Sequence, residues 1–239
     1  MTPAGVVAIK NIKSAMARKR ILLLDGGAQL GVYQFAVLEQ FLESGIGPSY
    51  FDHYICTSSG AFNAAYFLSE QPAEGKMIWM KYFPEVFWKL FSNDMVALEN
   101  ILRNIEPLDC DKVKNHSRKI IGAITGHDQL AKARELEPEA EIWAIMLKPR
   151  GYRLSSWAWK LISLFAIGNP VGRQLLADWP RIRNTFFAQI ESDPSLKVIR
   201  PKKLLPISFR SKNKKLIAET YELGKNDACE FLKNENIKI

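Results

Sequence analysis

Two short turns, each directly after an apolar run, hold residue types suited to attack on a carbonyl carbon. Ser58 lies in the run Cys56-Thr57-Ser58-Ser59-Gly60, and the glycine-rich turn Asp25-Gly26-Gly27-Ala28 lies upstream of it. A serine on a sharp strand-to-helix turn is exposed as a nucleophile; Gly60 fits the crowding there, whereas Cys56 stands where the elbow motif has glycine. Successive amides in a glycine-rich turn stabilise an oxyanion. The pair predicts acyl transfer through Ser58.

Both turns have alternative interpretations. Thr57 and Ser58 are also typical N-cap residues, so a purely structural role for the serine is the alternative to catalysis. A glycine-rich turn before a helix also binds phosphate, but a dinucleotide site needs an acidic residue near the end of the second strand, where Cys56, Thr57 and Ser58 stand. No Gly-Lys-Ser/Thr follows the turn, which excludes a P-loop. We favour the oxyanion interpretation, with no cofactor.

The two turns must be positioned by a strand, helix, strand unit. Residues 21–24 and 54–56 are apolar runs that predict short buried strands, and residues 32–42 and 61–68 predict the helices that follow them. Strands joined by such a crossover lie parallel, and their following loops leave from the same carboxyl edge of the sheet. We therefore expect the glycine amides and the Ser58 hydroxyl to meet.

These residues resemble the patatin-like phospholipases. Residues 24–31 are similar to the oxyanion loop of that family, and residues 56–65 are similar to its serine elbow, which runs into Ala-x-Asn-Ala. Further segments are similar to its small bacterial branch: 107–109, 144–153, 198–201 and 221–224. The resemblance covers residues 21–228, between a basic N-terminal segment (1–20) and a C-terminal tail (229–239). It implies a three-layer α/β/α fold with a largely parallel central sheet.

The resemblance also implies an activity and the residues for it. Ser58 would be the nucleophile, Gly26, Gly27 and Ala28 would form the oxyanion hole, and Cys56 and Gly60 would flank the serine in the elbow. The implied reaction is hydrolysis of phospholipid or lysophospholipid esters through an acyl-enzyme. Ala28 departs from the family, which has glycine there, and a positive φ would be uncomfortable for its side chain.

The catalytic aspartate of the family has no counterpart motif in this chain. The family places it in an Asp-Gly turn after the elbow, yet the only Asp-Gly here is Asp25-Gly26. Residues 125–130 join two segments that the aspartate turn separates in the family, which implies a shortened sheet. Asp128 is the candidate acid and His127 the alternative base, although adjacent side chains diverge. The alternative function is a catalytically inactive lipid- or membrane-binding relative.

Composition predicts one folded domain in a reducing compartment. The chain has 239 residues, 47% of them hydrophobic, which is enough for a full α/β core. Three scattered cysteines predict neither a disulfide framework nor a metal site. We find no signal peptide and no apolar tract long enough to span a membrane, and expect a cytoplasmic protein.

Basic and aromatic residues suggest a partner. The net charge is +8, and residues 1–24 and 197–215 concentrate basic residues. Such stretches favour peripheral contact with an anionic membrane; a solvated basic face is the alternative. We find no motif for specific nucleic-acid binding. Aromatic residues at 77–91, with Trp157 and Trp159, predict either core packing or an interfacial cap. The last helix is predicted over residues 213–221.

Overall fold

A five-stranded parallel sheet lies at the centre of the structure, a computed structural model that describes residues 18–86, 96–116, 118–122, 129–157, 159 and 170–237. The strands are β1 (Arg20–Leu24), β2 (His53–Cys56), β3 (Lys119–Gly122), β4 (Glu141–Ile145) and β5 (Lys197–Ile199). Their spatial order is β3-β2-β1-β4-β5, and every neighbouring pair is parallel. The described strands therefore form one continuous sheet. The shortening of the chain expected at residues 125–130, after β3, leaves no break between them.

The predicted strand, helix, strand unit is confirmed. β1 leads through a short 3₁₀ turn (Ala28–Leu30) into helix α1 (Gly31–Glu43), and β2 leads into helix α2 (Ser59–Leu68). β1 and β2 pair in parallel, with Leu24 opposite Cys56. Both following turns consequently start at the same level of the sheet, at its carboxyl edge.

One face of the sheet is covered by α1, α2 and the last helix, α8 (Lys214–Asn234). This face contributes Leu22, Leu24, Tyr54, Trp143 and Ile145 to the core. Helix α3 (Pro72–Met77) continues through a π-helical turn (Ile78–Tyr82) and adds Trp79, which is fully buried. This part of the aromatic stretch is core, whereas residues 87–91 lie outside the described residues.

The opposite face is covered by α6 (Gln129–Leu136) and α7 (Pro170–Ser192). Residues Ile21, Leu23 and Ile55 point to this side, because neighbouring positions on a strand alternate between faces. Phe186 and Phe187 of α7 pack against them. Helices thus lie on both faces of a parallel sheet, and the predicted three-layer α/β/α fold is confirmed.

Two further helices lie between β2 and β3 in the sequence. They are α4 (Val96–Asn100), which continues as a π-helical turn (Ile101–Ile105), and α5 (Cys110–Asn115). Across the described ranges no helix is both long and apolar enough to cross a bilayer.

The last helix is longer than the sequence predicts. It continues to Asn234, past the position where the C-terminal tail was expected to begin, instead of ending at Tyr221. The reason is a buried stripe at helical spacing that extends to Ala228 and Leu232. Gly224 in this stripe allows close packing on α1, because a Cβ there would lie 2.3 Å from the Tyr33 carbonyl oxygen.

Candidate active site

Ser58 has a backbone conformation that few residues other than glycine adopt. Its φ is 49° and its ψ is −120°, and its side chain is exposed at the turn between β2 and α2. Conformations of this kind cost on the order of 1–3 kcal/mol and cluster at functional sites. Ser58 occupies the N-cap position of α2, but its hydroxyl makes no capping hydrogen bond. The purely structural interpretation of this serine is therefore not supported.

The turn around Ser58 is held against the end of β1. The Thr57 amide donates to the Leu24 carbonyl oxygen at 3.1 Å. Gly60 lies against the same carbonyl group, and a larger residue would not fit, because a Cβ at this position would lie 2.5 Å from the Leu24 carbonyl oxygen. These contacts explain why the chain turns sharply at Ser58 and why the next helix starts close to the sheet.

The glycine-rich turn contacts the serine turn, as the sequence predicts. A Cβ on Gly26 would lie 2.9 Å from the Thr57 carbonyl oxygen and 3.3 Å from the Ser58 Cβ. The Gly27 amide donates to the hydroxyl of Ser59 at 3.1 Å. This hydrogen bond ties the two turns together beside Ser58.

The amide of Ala28 is the open donor of the predicted oxyanion hole. Gly26 donates its amide to the Asp25 carboxylate at 2.8 Å and Gly27 donates to Ser59, whereas the Ala28 amide makes no hydrogen bond within the described ranges. Ala28 adopts a φ of 49°, the strained case foreseen for a side chain at this position. The Ser59 amide, at the start of α2, has no carbonyl of its own helix to bind. Ala28 and Ser59 thus offer two amides near Ser58.

A buried asparagine links the helices that follow the two turns, and no sequence pattern assigns it this role. Asn63 donates to the Gln34 Oε1 atom and to the Gly31 carbonyl oxygen, both at 2.9 Å, and accepts from the Trp79 Nε1 atom at 2.8 Å. Gln34 in turn donates to the Asp25 carbonyl oxygen at 3.3 Å. The available signal was a polar residue inside the otherwise apolar start of α2.

Asp25 is neutralised by a cation from the opposite layer. Its carboxylate, which is fully buried, forms an ion pair with Arg183 of α7 and also accepts from the Gly26 amide. Lys148 lies near both groups, and burial lowers the pKa of its ammonium although Asp25 opposes this effect. Asp25 therefore fixes the glycine-rich turn through charge. No sequence pattern pointed to Arg183, because its partner is 158 residues away.

The two candidates for the catalytic base, Asp128 and His127, lie outside the described residues. The described chain resumes at Gln129, whose buried side chain donates to the Leu24 carbonyl oxygen at 3.0 Å and to the Ile55 carbonyl oxygen at 3.2 Å. Helix α6 thus begins against the carboxyl ends of β1 and β2. This is the edge of the sheet at which Ser58 lies.

Cys56 and His53 of β2 take no part in this chemistry. Cys56 is fully buried at the end of β2, and burial strongly raises the pKa of its thiol, so it is a packing residue. His53 begins β2 at the opposite end of the strand and pairs with Glu137. In the described part of the chain no group of three or more histidine, cysteine or acidic side chains could hold a metal.

Comparisons with known proteins add one likeness. No protein-family model matches the chain, and no solved structure matches it. A stretch of 78 residues is 31% identical to an uncharacterized protein of Escherichia coli strain K12, YjjU. The match spans 33% of this chain and 21% of that protein, so it covers about a fifth of the relative. A likeness of this extent assigns no activity.

Proposed function

We propose that the chain is a serine lipid acyl hydrolase of the patatin-like type, acting on phospholipid or lysophospholipid esters. The observation that carries this proposal is the conformation of Ser58, exposed and without a capping bond on a strained strand-to-helix turn that the glycine-rich turn contacts. A serine that only started a helix would have no need of such a backbone.

The proposed reaction follows from these groups. The Ser58 Oγ attacks the ester carbonyl carbon and loses its proton to a base, while the amides of Ala28 and Ser59 bind the oxyanion. Collapse of the tetrahedral intermediate expels the alcohol, which takes up the proton, and leaves an acyl-serine. Water then attacks the acyl-serine and releases the fatty acid. Asp128 is the candidate base for both proton transfers, and His127 is the alternative.

A second candidate is an inactive lipid-binding relative. It is favoured by the ion pair between Asp25 and Arg183. The buried carboxylate of the glycine-rich turn is already paired with a cation, so it is not free to act as a base. A serine without a base would retain only the rate enhancement due to binding and to the oxyanion donors, roughly a thousandfold over water.

Labelling with a fluorophosphonate probe tests the first candidate. We expect covalent labelling of the full chain, its loss in Ser58→Ala, and its retention in Ser69→Ala, a buried serine directly after the other end of α2. Labelling that Asp128→Asn abolishes and His127→Ala does not would identify the base. A protein that melts cooperatively but is never labelled would contradict the hydrolase and favour the lipid-binding relative.

A further inference from the structure

The loop that follows β5 combines exposed apolar side chains with a buried anchor. We call residues 200–213 the β5 loop. Pro201, Leu205 and Ile207 are buried and fix it to the domain. Leu204 and Phe209, in contrast, are 60% and 47% exposed. Apolar side chains held outward on an anchored loop are accessible to a partner surface.

The same loop is surrounded by basic side chains that lack acidic partners. No acidic residue occurs between positions 197 and 215. Lys203, Lys212, Lys214 and Lys215 are exposed and form no ion pair with any residue that the structure describes, whereas Lys202 pairs with Glu230. The unpaired lysines leave a positive field around Leu204 and Phe209, which is complementary to an anionic surface.

The β5 loop lies at the edge of the sheet that holds Ser58. It leaves the carboxyl end of β5, and all five strands are parallel, so it shares that edge with both turns of the site. A direct contact supports this placement: the Gln29 amide, next to Ala28, donates to the Phe209 carbonyl oxygen at 3.4 Å. Trp157, on the segment after β4, is 73% exposed.

We propose that the β5 loop docks the protein on an anionic lipid bilayer, with Leu204 and Phe209 inserted among the lipid headgroups and the lysines bound to lipid phosphates and carboxylates. The pairing of apolar and basic side chains favours a membrane over nucleic acid, because phosphate contacts alone would not require exposed leucine and phenylalanine. The inference deepens the proposed function, on which it rests for the lipid substrate; the contact with Gln29 would hold the oxyanion turn close to the bilayer.

Vesicle flotation with the Ser58→Ala chain tests the docking surface without turnover. We expect binding to phosphatidylcholine vesicles that contain phosphatidylserine and much weaker binding to pure phosphatidylcholine. Lys203→Gln/Lys212→Gln should lower the partition coefficient roughly 25-fold, about fivefold for each lysine. Leu204→Ser/Phe209→Ser should lower it at least about tenfold. The matched control is Lys114→Gln/Lys233→Gln, two exposed lysines near the ends of α5 and α8 and away from the edge that holds Ser58, and it should leave the partition coefficient within about twofold.

Each outcome decides the inference. Equal losses in the control and in the loop lysine variant would overturn it, as would unchanged binding in Leu204→Ser/Phe209→Ser. Binding to a DNA oligonucleotide that exceeds vesicle binding and ignores the apolar substitutions would also overturn it, in favour of a nucleic-acid surface. Thermal melts of all variants show that they are folded. Probe labelling without vesicle binding removes the docking surface and leaves the hydrolase, whereas vesicle binding without labelling does the reverse.

Discussion

The two faces of the sheet contribute different things to the candidate site. The face covered by α1, α2 and α8 holds Ser58 and the open amides through hydrogen bonds between neutral groups, centred on Asn63. At the same edge of the sheet, the face covered by α6 and α7 contributes an ion pair between Arg183 of α7 and Asp25. The hydrogen bonds around Asn63 join residues at most 32 positions apart in the sequence, whereas Arg183 and Asp25 are 158 positions apart.

This difference suggests that the groups proposed for catalysis come from two separate parts of the chain. The proposed nucleophile and oxyanion donors belong to one compact unit, from β1 to α2, whose geometry is fixed by local packing. The proposed bases, Asp128 and His127, precede α6 in the sequence, and α6 packs on the other face of the sheet. The proposed reaction would therefore combine a nucleophile from one segment of the chain with a base from a distant one.

Loss of the ion pair should produce the largest effect. Arg183→Met removes the direct ion-pair partner of the buried Asp25 carboxylate; although Lys148 stays nearby, breaking such a buried pair typically costs about 3–5 kcal/mol of unfolding free energy. Urea unfolding of the wild type and the variant measures this change. We expect the double variant Asp25→Asn/Arg183→Met to recover most of the loss, because it removes both charges.

The alternative outcome is also informative. If Arg183→Met costs less than about 1 kcal/mol, Asp25 is not held as a buried charge and the contrast between the two faces disappears. If the double variant is no more stable than the single one, the side chain of Arg183 matters for its packing on Phe186 and Phe187.

The neutral network of the first face should give the next largest effect. Asn63→Leu removes partners from the Trp79 Nε1 and Gln34 Oε1 atoms, and we expect a loss of about 2–3 kcal/mol. Because Asn63 links α1 and α2, the helices that follow the two turns of the site, probe labelling of Ser58 should fall at least about tenfold.

A matched asparagine on the second face provides the control. Asn184 of α7 bonds both backbone polar groups of Leu154 and is partly buried. Asn184→Leu should cost about 1 kcal/mol and leave labelling unchanged. Equal effects of the two substitutions on labelling would show that the second face positions the nucleophile as well.

The two turns on the first face could be predicted from the sequence, whereas the ion pair on the second face could not. The apolar runs before Gly26 and Ser58 and the turns that follow them act over short range, so they predicted β1, β2 and the meeting of the two turns. Arg183 is 158 residues from Asp25 in the sequence, and single-sequence patterns contain no signal for such a pair. Asn63 belongs to a sequence motif, but its partners lie on α1 and on the π-helical turn after α3, and only the fold brings them together.

The smallest effect concerns Ala28, where the patatin-like phospholipases that the turn resembles have glycine. A φ of 49° costs an alanine about 1–2 kcal/mol, and glycine would relieve this strain. Glycine also favours the unfolded chain by about 0.4–1 kcal/mol, because it has more conformational entropy there. Ala28→Gly should therefore stabilise the fold by roughly 0.5 kcal/mol, measured by urea unfolding. Because the Ala28 amide is already open, probe labelling should rise no more than about threefold. A much larger rise would mean that the conformation of Ala28, rather than the supply of a base, limits the reactivity of Ser58.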